Sequence, residues 1–185
     1  MTPTYKSLRA LWPRSGGTES LGMQSLIRLV DSVDMPFDQN PEYQRGTKWS
    51  DERSSRFIGY LCENGEAPVI WVQRWPYTSG KPDELLDGLQ RVTAVRRFLS
   101  GDIPMELTDG TTVYLRDMSP DDQRQIKSTT AGPTLTIRYV KYEALADVLL
   151  MYLRLNRGGM AHEDKDIDRV WAMYNKEVQK QEGKS

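Results

Sequence analysis

A largely apolar run, Ala67–Trp75, restricts the architectures that this chain can adopt. The run is rich in β-branched and aromatic residues, which predicts a strand that is buried in the interior. A second segment, Thr134–Val140, alternates between apolar and polar residues and also predicts a strand. Asp109-Gly110 lies between two short apolar segments, a pattern that predicts a hairpin. The chain is therefore expected to contain a small β-sheet.

Amphipathic segments between these strands predict helices around the sheet. Ser50 is followed by Asp51 and Glu52, which supply an N-cap oxygen and acids for the positive end of a helix dipole. Ser119 precedes Pro120 at another expected helix start. Helices are expected over residues 23–33, 50–62, 144–155 and 162–181, directly after residue 88, and from residue 119. Because the order lacks a regular βαβ rhythm, we predict an α+β domain with a small mixed sheet surrounded by helices.

The N-terminal residues differ in character from the rest of the chain. Residues 1–20 are polar and are interrupted by prolines and glycines, so we expect residues 1–20 to form a flexible N-terminal arm. Residues 21–185 have the usual size of one domain and are expected to end in the C-terminal helix.

Composition excludes several classes of protein. The 25 Lys and Arg residues face 26 Asp and Glu residues, and the net charge of −1 argues against coating nucleic acid or a membrane through bulk positive charge. Cys62 is the single cysteine, so neither a disulfide framework nor a four-thiolate zinc site can form within one chain. No apolar run reaches the roughly 18 residues that span a bilayer, and no secretory signal is recognisable. We therefore expect a cytoplasmic protein without a membrane partner.

The strongest local signal for chemistry is a short strand that stops at Asp87-Gly88 and is followed immediately by a helix. Helix N-termini carry unpaired N–H groups and partial positive charge, which makes them anion sites. Gly88 allows close approach of the backbone to a phosphate, and Arg91 adds a planar donor fork. Asp87 is a candidate for holding Mg²⁺ or orienting a water molecule. The alternative is an ordinary Asp-Gly turn followed by a solvated arginine.

Three further groups of side chains have both a functional and a structural interpretation. They are His162-Glu163-Asp164 with Asp166 and Asp168; Trp71, Trp75 and Tyr77; and Arg96 with Arg97. The acidic group could bind a metal or complement a helix dipole. The aromatic group could stack on a base or fill the core. The two arginines could contact a nucleic-acid backbone or lie on a solvated helix face.

Several motifs occur in an order that resembles a known family. Residues 41–45 read Pro-Glu-Tyr-Gln-Arg, Trp49 follows them, residues 87–91 read Asp-Gly-Leu-Gln-Arg, and residues 155–159 read Leu-Asn-Arg-Gly-Gly. Together they resemble the N-terminal domain of GmrSD-type modification-dependent restriction systems, whose signature includes Tyr-Gln-Arg, Trp, Asp-Gly-Gln-Gln-Arg and a late Asn-x-x-Gly. The resemblance covers residues 22–170.

The resemblance implies a ParB/sulfiredoxin-like fold that binds a nucleoside triphosphate and hydrolyses it. It implies catalytic roles for Asp87 and Gln90, with Asp87 as the candidate Mg²⁺ ligand. The residues that it implies for nucleotide and phosphate binding are Gly88, Arg91, Arg45, Gln44, Tyr43 and Asn156. The late motif around Asn156 is also explained by a helix C-cap alone.

The chain departs from the family pattern at two points. Leu89 replaces the first glutamine of the Asp-Gly-Gln-Gln-Arg motif, a change that nucleotide binding should survive better than hydrolysis. Related restriction proteins continue into a nuclease domain, whereas His162 is the single histidine of this chain. A His-Asn-His nuclease centre is therefore not expected here.

These observations favour a nucleoside-triphosphate-binding protein, with slow hydrolysis, in a DNA-related process such as defence, counter-defence or DNA modification. One alternative is a non-catalytic DNA- or protein-interaction module on the same scaffold, and another is a kinase-like phosphotransferase. The expected partner is a nucleoside triphosphate. DNA, a second copy of the chain and an effector protein remain open as further partners.

Overall fold

The computed structural model describes residues 14–33, 37–44, 49–64, 66–128, 131–157 and 164–183. These residues form seven strands and six α-helices. In chain order they are β1 (Arg14–Gly22), α1 (Met23–Val30), β2 (Phe37–Asp38), α2 (Asp51–Asn64), β3 (Ile70–Gln73), β4 (Asp83–Asp87), α3 (Leu89–Ser100), β5 (Met105–Glu106), β6 (Thr112–Val113), α4 (Pro120–Lys127), β7 (Thr134–Lys141), α5 (Leu145–Arg157) and α6 (Asp164–Glu182).

Five of the described strands form one sheet in the order β1-β7-β3-β4-β2. Strand β3 runs parallel to β7, and β2 runs parallel to β4. The β1–β7 and β3–β4 pairs are antiparallel. Strands β5 and β6 form a separate antiparallel hairpin around Asp109-Gly110. The predicted α+β class with a small mixed sheet is confirmed.

Two hydrophobic cores lie on opposite faces of the sheet. The first core packs helices α1, α2, α3 and α4 against one face, and it includes Leu26, Ile58, Phe98, Ile126, Leu85 and Ile137. The second core packs α5 and α6 against the other face, and it includes Leu149, Tyr152, Val170, Leu86 and Val140. Neighbouring residues of a strand point to opposite faces, so β4 and β7 supply side chains to both cores.

Local signals locate most helix starts correctly. The Ser119 hydroxyl accepts a hydrogen bond of 3.1 Å from the Asp122 N–H, with Pro120 at the first helical position. Ser50 accepts a 3.2 Å hydrogen bond from the Arg53 N–H at the start of α2. Both contacts satisfy a backbone donor that the helix itself leaves unpaired, as the sequence predicts.

The prediction of a flexible arm over residues 1–20 is wrong for residues 14–20. They belong to β1, which pairs along its length with β7 and contains a bulge between Ser15 and Gly17. The glycines and polar residues that indicate an arm are also compatible with an edge strand, since its outer side faces no neighbour. Residues 1–13 lie outside the described part of the chain.

The apolar run Ala67–Trp75 forms a shorter strand than its sequence predicts. Only Ile70–Gln73 pairs as β3, and Gln73 within it is fully buried. Its amide donates to the Tyr142 carbonyl at 2.8 Å and accepts from the Tyr142 N–H at 3.1 Å. These paired contacts remove the cost of burying the amide and fix the start of α5 beside the sheet.

None of the helices in the described ranges combines the length and the apolar character needed to cross a bilayer.

The contact between α2 and the hairpin gives a first prediction. A Cβ atom at Gly59 would lie 1.8 Å from the Glu106 carbonyl oxygen, so α2 can approach β5 only with glycine there. We expect Gly59→Ala to lower the free energy of unfolding by about 3 kcal/mol despite the better helix propensity of alanine. Urea unfolding measures the change, with Tyr60→Ala on the exposed side of α2 as the control. Equal stability of Gly59→Ala and wild type would contradict this packing.

Candidate functional site

Strand β4 ends in an irregularity immediately before the predicted motif. Trp71 of β3 pairs with Asp87, whereas the next residue of β3, Val72, pairs with Leu85. Leu86 is therefore an extra residue in β4, which makes the end of the strand a β-bulge. Bulges redirect side chains and are frequent beside functional sites. Here the bulge sets the direction in which Asp87 leaves the sheet.

Gly88 connects β4 to α3 in a conformation that favours glycine. Its φ is +115°, and a Cβ atom there would lie 3.0 Å from the side chain of Ile70. Its carbonyl accepts the Val92 N–H at 2.9 Å, which begins the hydrogen bonding of α3. The tight turn therefore places the first N–H groups of α3 directly after the end of the sheet.

Arg91 and Asp87 form an ion pair across this turn. The Arg91 Nη2 atom lies 2.7 Å from Asp87 Oδ2 and 3.3 Å from the Val69 carbonyl oxygen. The Arg91 side chain is only 12% exposed, whereas that of Asp87 is 40% exposed. Among the described residues, the buried Nε atom of Arg91 has no hydrogen-bond partner. The pair thus combines a partly solvent-exposed carboxylate with a guanidinium whose Nε–H has no acceptor among the described residues.

The two residues between Gly88 and Arg91 point to different surroundings. Leu89 is half-buried and packs against the first core. The Gln90 side-chain oxygen accepts the Trp49 N–H at 2.9 Å. Gln90 therefore ties the start of α2 to the start of α3, and Leu89 contributes to packing.

Tyr43 and Gln44 lie against β4, 41 residues away in sequence. The Tyr43 hydroxyl donates to Glu84 Oε2 at 2.7 Å, and the Gln44 amide donates to the Leu85 carbonyl at 3.0 Å. Tyr43 is buried, and this burial, with the Glu84 charge, raises its pKa well above the usual range. Tyr43 is therefore a neutral donor that fixes its segment to the strand.

Glu84 accepts hydrogen bonds from two residues, of which Tyr43 is the first. Its second oxygen accepts the Trp75 indole N–H at 2.8 Å, and the Lys81 ammonium lies 4.1 Å from the centre of the Trp75 ring. The half-buried carboxylate thus accepts hydrogen bonds from two neutral donors. No sequence motif indicates Glu84, although a charged residue in a mostly buried strand requires such partners.

The late motif reaches the same region through one aromatic contact. The Tyr152 ring packs edge-on against the Tyr43 ring, with centroids 5.2 Å apart. The Asn156 amide donates to the Tyr152 carbonyl at 2.8 Å, within helix α5. Arg169 of α6, which no sequence motif indicates, donates to the carbonyls of Glu42 and Gln44 at 2.9 and 3.2 Å. Both terminal helices therefore support the segment that carries Tyr43.

The structure brings most of the predicted site residues to one strand. Asp87 ends β4, and Gly88, Gln90 and Arg91 follow it directly. Tyr43 and Gln44 bind along the strand, and Asn156 is connected to Tyr43 through Tyr152. Arg45 lies outside the described residues, so its role in phosphate binding stays a prediction.

In the other candidate groups, most of the described side chains lie in the core or form ion pairs. Trp75 is buried, whereas Tyr77 is fully exposed. Arg96 pairs with Asp31 at 2.6 Å, and Arg97 pairs with Asp51 at 2.9 Å. In the acidic group, His162 and Glu163 lie outside the described residues. Within the described ranges, no group of three or more His, Cys, Asp or Glu side chains could hold a metal ion.

A groove of about 460 Å³ lies away from these residues. Cys62, Met105, Met118 and Ile126 line it, with Asp117 and Asp122 among the polar residues of its wall. Burial raises the pKa of the Cys62 thiol to about 11, so this cysteine is not an activated nucleophile. The groove therefore does not coincide with the chemistry that the motifs predict.

Comparison with known protein families gives a match over most of the chain. A model of the family described as GmrSD restriction endonuclease, N-terminal domain, matches residues 26–173. This range includes every residue of the predicted site and extends from α1 into α6. No curated protein and no solved structure matches the chain.

The Tyr43–Glu84 hydrogen bond gives a second prediction. Tyr43→Phe should lower the free energy of unfolding by about 2 kcal/mol, because it removes a donor to a half-buried carboxylate. Urea unfolding provides the measurement. Tyr77→Phe is the matched control, since that side chain is fully exposed, and it should change stability little. Similar losses in the two variants would show that Glu84 does not depend on Tyr43.

Proposed function

The chain belongs to the GmrSD restriction endonuclease N-terminal domain family, and we propose that it binds a nucleoside triphosphate at residues 87–91 and hydrolyses it slowly. The family supports a DNA-related role in a restriction system. Nucleotide binding would serve that role. We also propose that the domain is related to ParB and sulfiredoxin, as the motifs suggest.

The observation that carries this proposal is the unsatisfied donor of Arg91. A buried N–H group without an acceptor costs about 1–3 kcal/mol, a cost that is tolerated where a ligand supplies the missing acceptor. The Nε atom of Arg91 is such a group, and it lies in the first turn of α3. Phosphate oxygens suit both the guanidinium and the free N–H groups of a helix N-terminus.

Asp87 has a second role in this proposal. Its carboxylate holds Arg91 at 2.7 Å but remains 40% exposed, so it can also reach a ligand in solvent. Mg²⁺ commonly binds one or two carboxylates together with substrate phosphates, and Asp87 fits this pattern as a single protein ligand. A bound Mg²⁺ would neutralise phosphate charge. Positioning and charge neutralisation supply most of the catalysis in phosphoryl transfer, so no covalent nucleophile is required.

The remaining motif residues would position the site rather than contact phosphate. Gln90 joins α2 to α3, and Tyr43 and Gln44 fix their segment beside β4. Asn156 supports the same segment through Tyr152. Arg45, which directly follows Gln44, keeps the role of a second phosphate ligand that the family motif implies.

A non-catalytic interaction module is the second candidate function, and positions 89 and 90 favour it. The family glutamine is replaced by Leu89, which packs against the first core, and the Gln90 oxygen accepts the Trp49 N–H. Because both side chains contact other parts of the protein, neither is placed to orient a water molecule, and the chain could bind a nucleotide without hydrolysing it. Measurement of phosphate release distinguishes the two functions.

The third prediction tests nucleotide binding. Arg91→Ala should weaken binding by about 1.5–3 kcal/mol, the contribution of hydrogen bonds between charged groups. Arg91→Lys should lose part of this affinity, because lysine keeps the charge but not the planar fork. Calorimetry with ATP, GTP and CTP provides the measurement. Arg97→Ala, on the same helix but paired with Asp51, is the control. Equal affinities for wild type and Arg91→Ala would overturn the phosphate site.

The fourth prediction concerns the departure from the family motif. Because Leu89 packs against the first core, Leu89→Gln should lower the free energy of unfolding by about 1–2 kcal/mol. The rate of phosphate release should stay within about twofold of wild type, since an amide in the core cannot orient a water molecule at the phosphate. A clear increase in rate would instead show that position 89 acts in hydrolysis and that Leu89 has blunted it.

A further inference from the structure

Helices cover only part of the sheet face that carries the second core. Helix α5 packs against β4, and the second core covers Leu86 and Val140. Two residues before Val140 on the same side of β7, Arg138 is exposed, and Thr136 is half-buried. The part of this face formed by β1 and the middle of β7 is therefore not covered by a helix of the described chain, whereas Trp71 at the start of β3 is half-buried and packs against the second core.

The strand registers identify the side chains that share this uncovered area. Thr18 pairs with Arg138 and Ser20 pairs with Thr136 across β1 and β7, and Trp71 of β3 pairs with Arg138 on the other side. Paired residues of neighbouring strands point to the same face. We call Thr18, Ser20, Thr136, Arg138 and Trp71 the open face. The alternate residues of β7, such as Ile137, enter the first core.

The side chains of the open face are hydrogen-bond donors, and one of them carries a positive charge. These five side chains carry three hydroxyl groups, one guanidinium and one indole. The neighbouring carboxylate of Asp87, the strand partner of Trp71, is paired with Arg91. The Arg138 guanidinium lies 5.2 Å from the centre of the Trp71 ring. Among the described residues Arg138 makes no ion pair, in contrast to Arg74 and Arg96, which pair with carboxylates. The open face is thus positively charged in a chain whose net charge is −1.

These groups are poorly suited to a protein helix and well suited to nucleic acid. A helix would have to bury hydroxyl groups and an unpaired guanidinium against its apolar side, which costs free energy. Hydroxyl and guanidinium donors instead match phosphate oxygens, and an indole can stack on a base. We propose that the open face binds single-stranded nucleic acid, with Arg138 and the hydroxyl groups on the backbone and a base on Trp71.

A single strand fits this surface better than a duplex. The bases of a duplex are stacked on each other, so their faces cannot reach a side chain on a flat sheet, whereas unpaired bases can. Trp71 is also the strand partner of Asp87, so the open face ends beside the turn of the proposed nucleotide site. The nucleic-acid site goes beyond the nucleotide site and uses different residues, so each can fail without the other.

Fluorescence anisotropy with a labelled oligothymidine of about 15 nucleotides, a length that covers the usual site size, tests the proposal. At about 50 mM salt the wild type should bind, and its affinity should fall as salt rises. Arg138→Glu should weaken binding at least about tenfold, because it reverses a charge beside the phosphates. Thr136→Asp, which adds a charge without removing Arg138 or Trp71, should weaken binding in the same direction.

The matched control is Arg28→Glu, an identical charge change at an exposed position of α1 on the other side of the sheet. It should stay within about twofold of wild type, because salt screens distant charges. Absence of binding by wild type, equal losses in Arg138→Glu and Arg28→Glu, or equal affinity for a duplex of the same length would each overturn the proposal. Loss in Arg91→Ala but not in Arg138→Glu would place the nucleic acid at the turn and would likewise overturn it.

Discussion

Burial of β4 on both faces is the constraint on which the rest of the structure depends. Leu85 is completely buried in the first core, and its neighbour Leu86 is completely buried in the second. Each leucine contributes about 2 kcal/mol of hydrophobic stabilisation, and together they join the two helical layers through one strand. Strands β3 and β2 occupy the two edges of β4. With faces and edges all engaged, β4 is a rigid support for the residues at its ends.

The two ends of this strand make different contacts. At the first end Glu84 accepts hydrogen bonds from Tyr43 and Trp75, which fixes a distant segment of chain to the sheet. At the other end the bulge and Gly88 turn the chain sharply into α3 and place Asp87 beside Arg91. Because one short strand carries both features, the anchored segment and the turn keep a constant separation. Such fixed geometry is what recognition of a small anion requires.

The motif residues therefore combine supporting residues with residues that we propose to bind phosphate. Tyr43, Gln44 and Asn156 have their polar groups engaged within the protein, and they hold neighbouring segments in place. Arg91 retains a donor without an acceptor, and Asp87 retains solvent exposure. A sequence pattern alone does not separate these two kinds of residue, since both are fixed by the same fold.

The sequence by itself determined the features that depend on neighbouring residues. The strand, glycine turn and helix around Asp87-Gly88, the hairpin at Asp109-Gly110 and the cap at Ser119 all arise from local backbone preferences and hydrogen bonds. Only the tertiary structure decided the contacts between distant segments. Residues 14–20 form a strand because β7 offers them partners, as in the 3.3 Å contact between Glu19 and Tyr139, 120 residues apart. Likewise, the anchoring of Tyr43 on Glu84 and the open face follow from strand order and register, which local residue patterns do not specify.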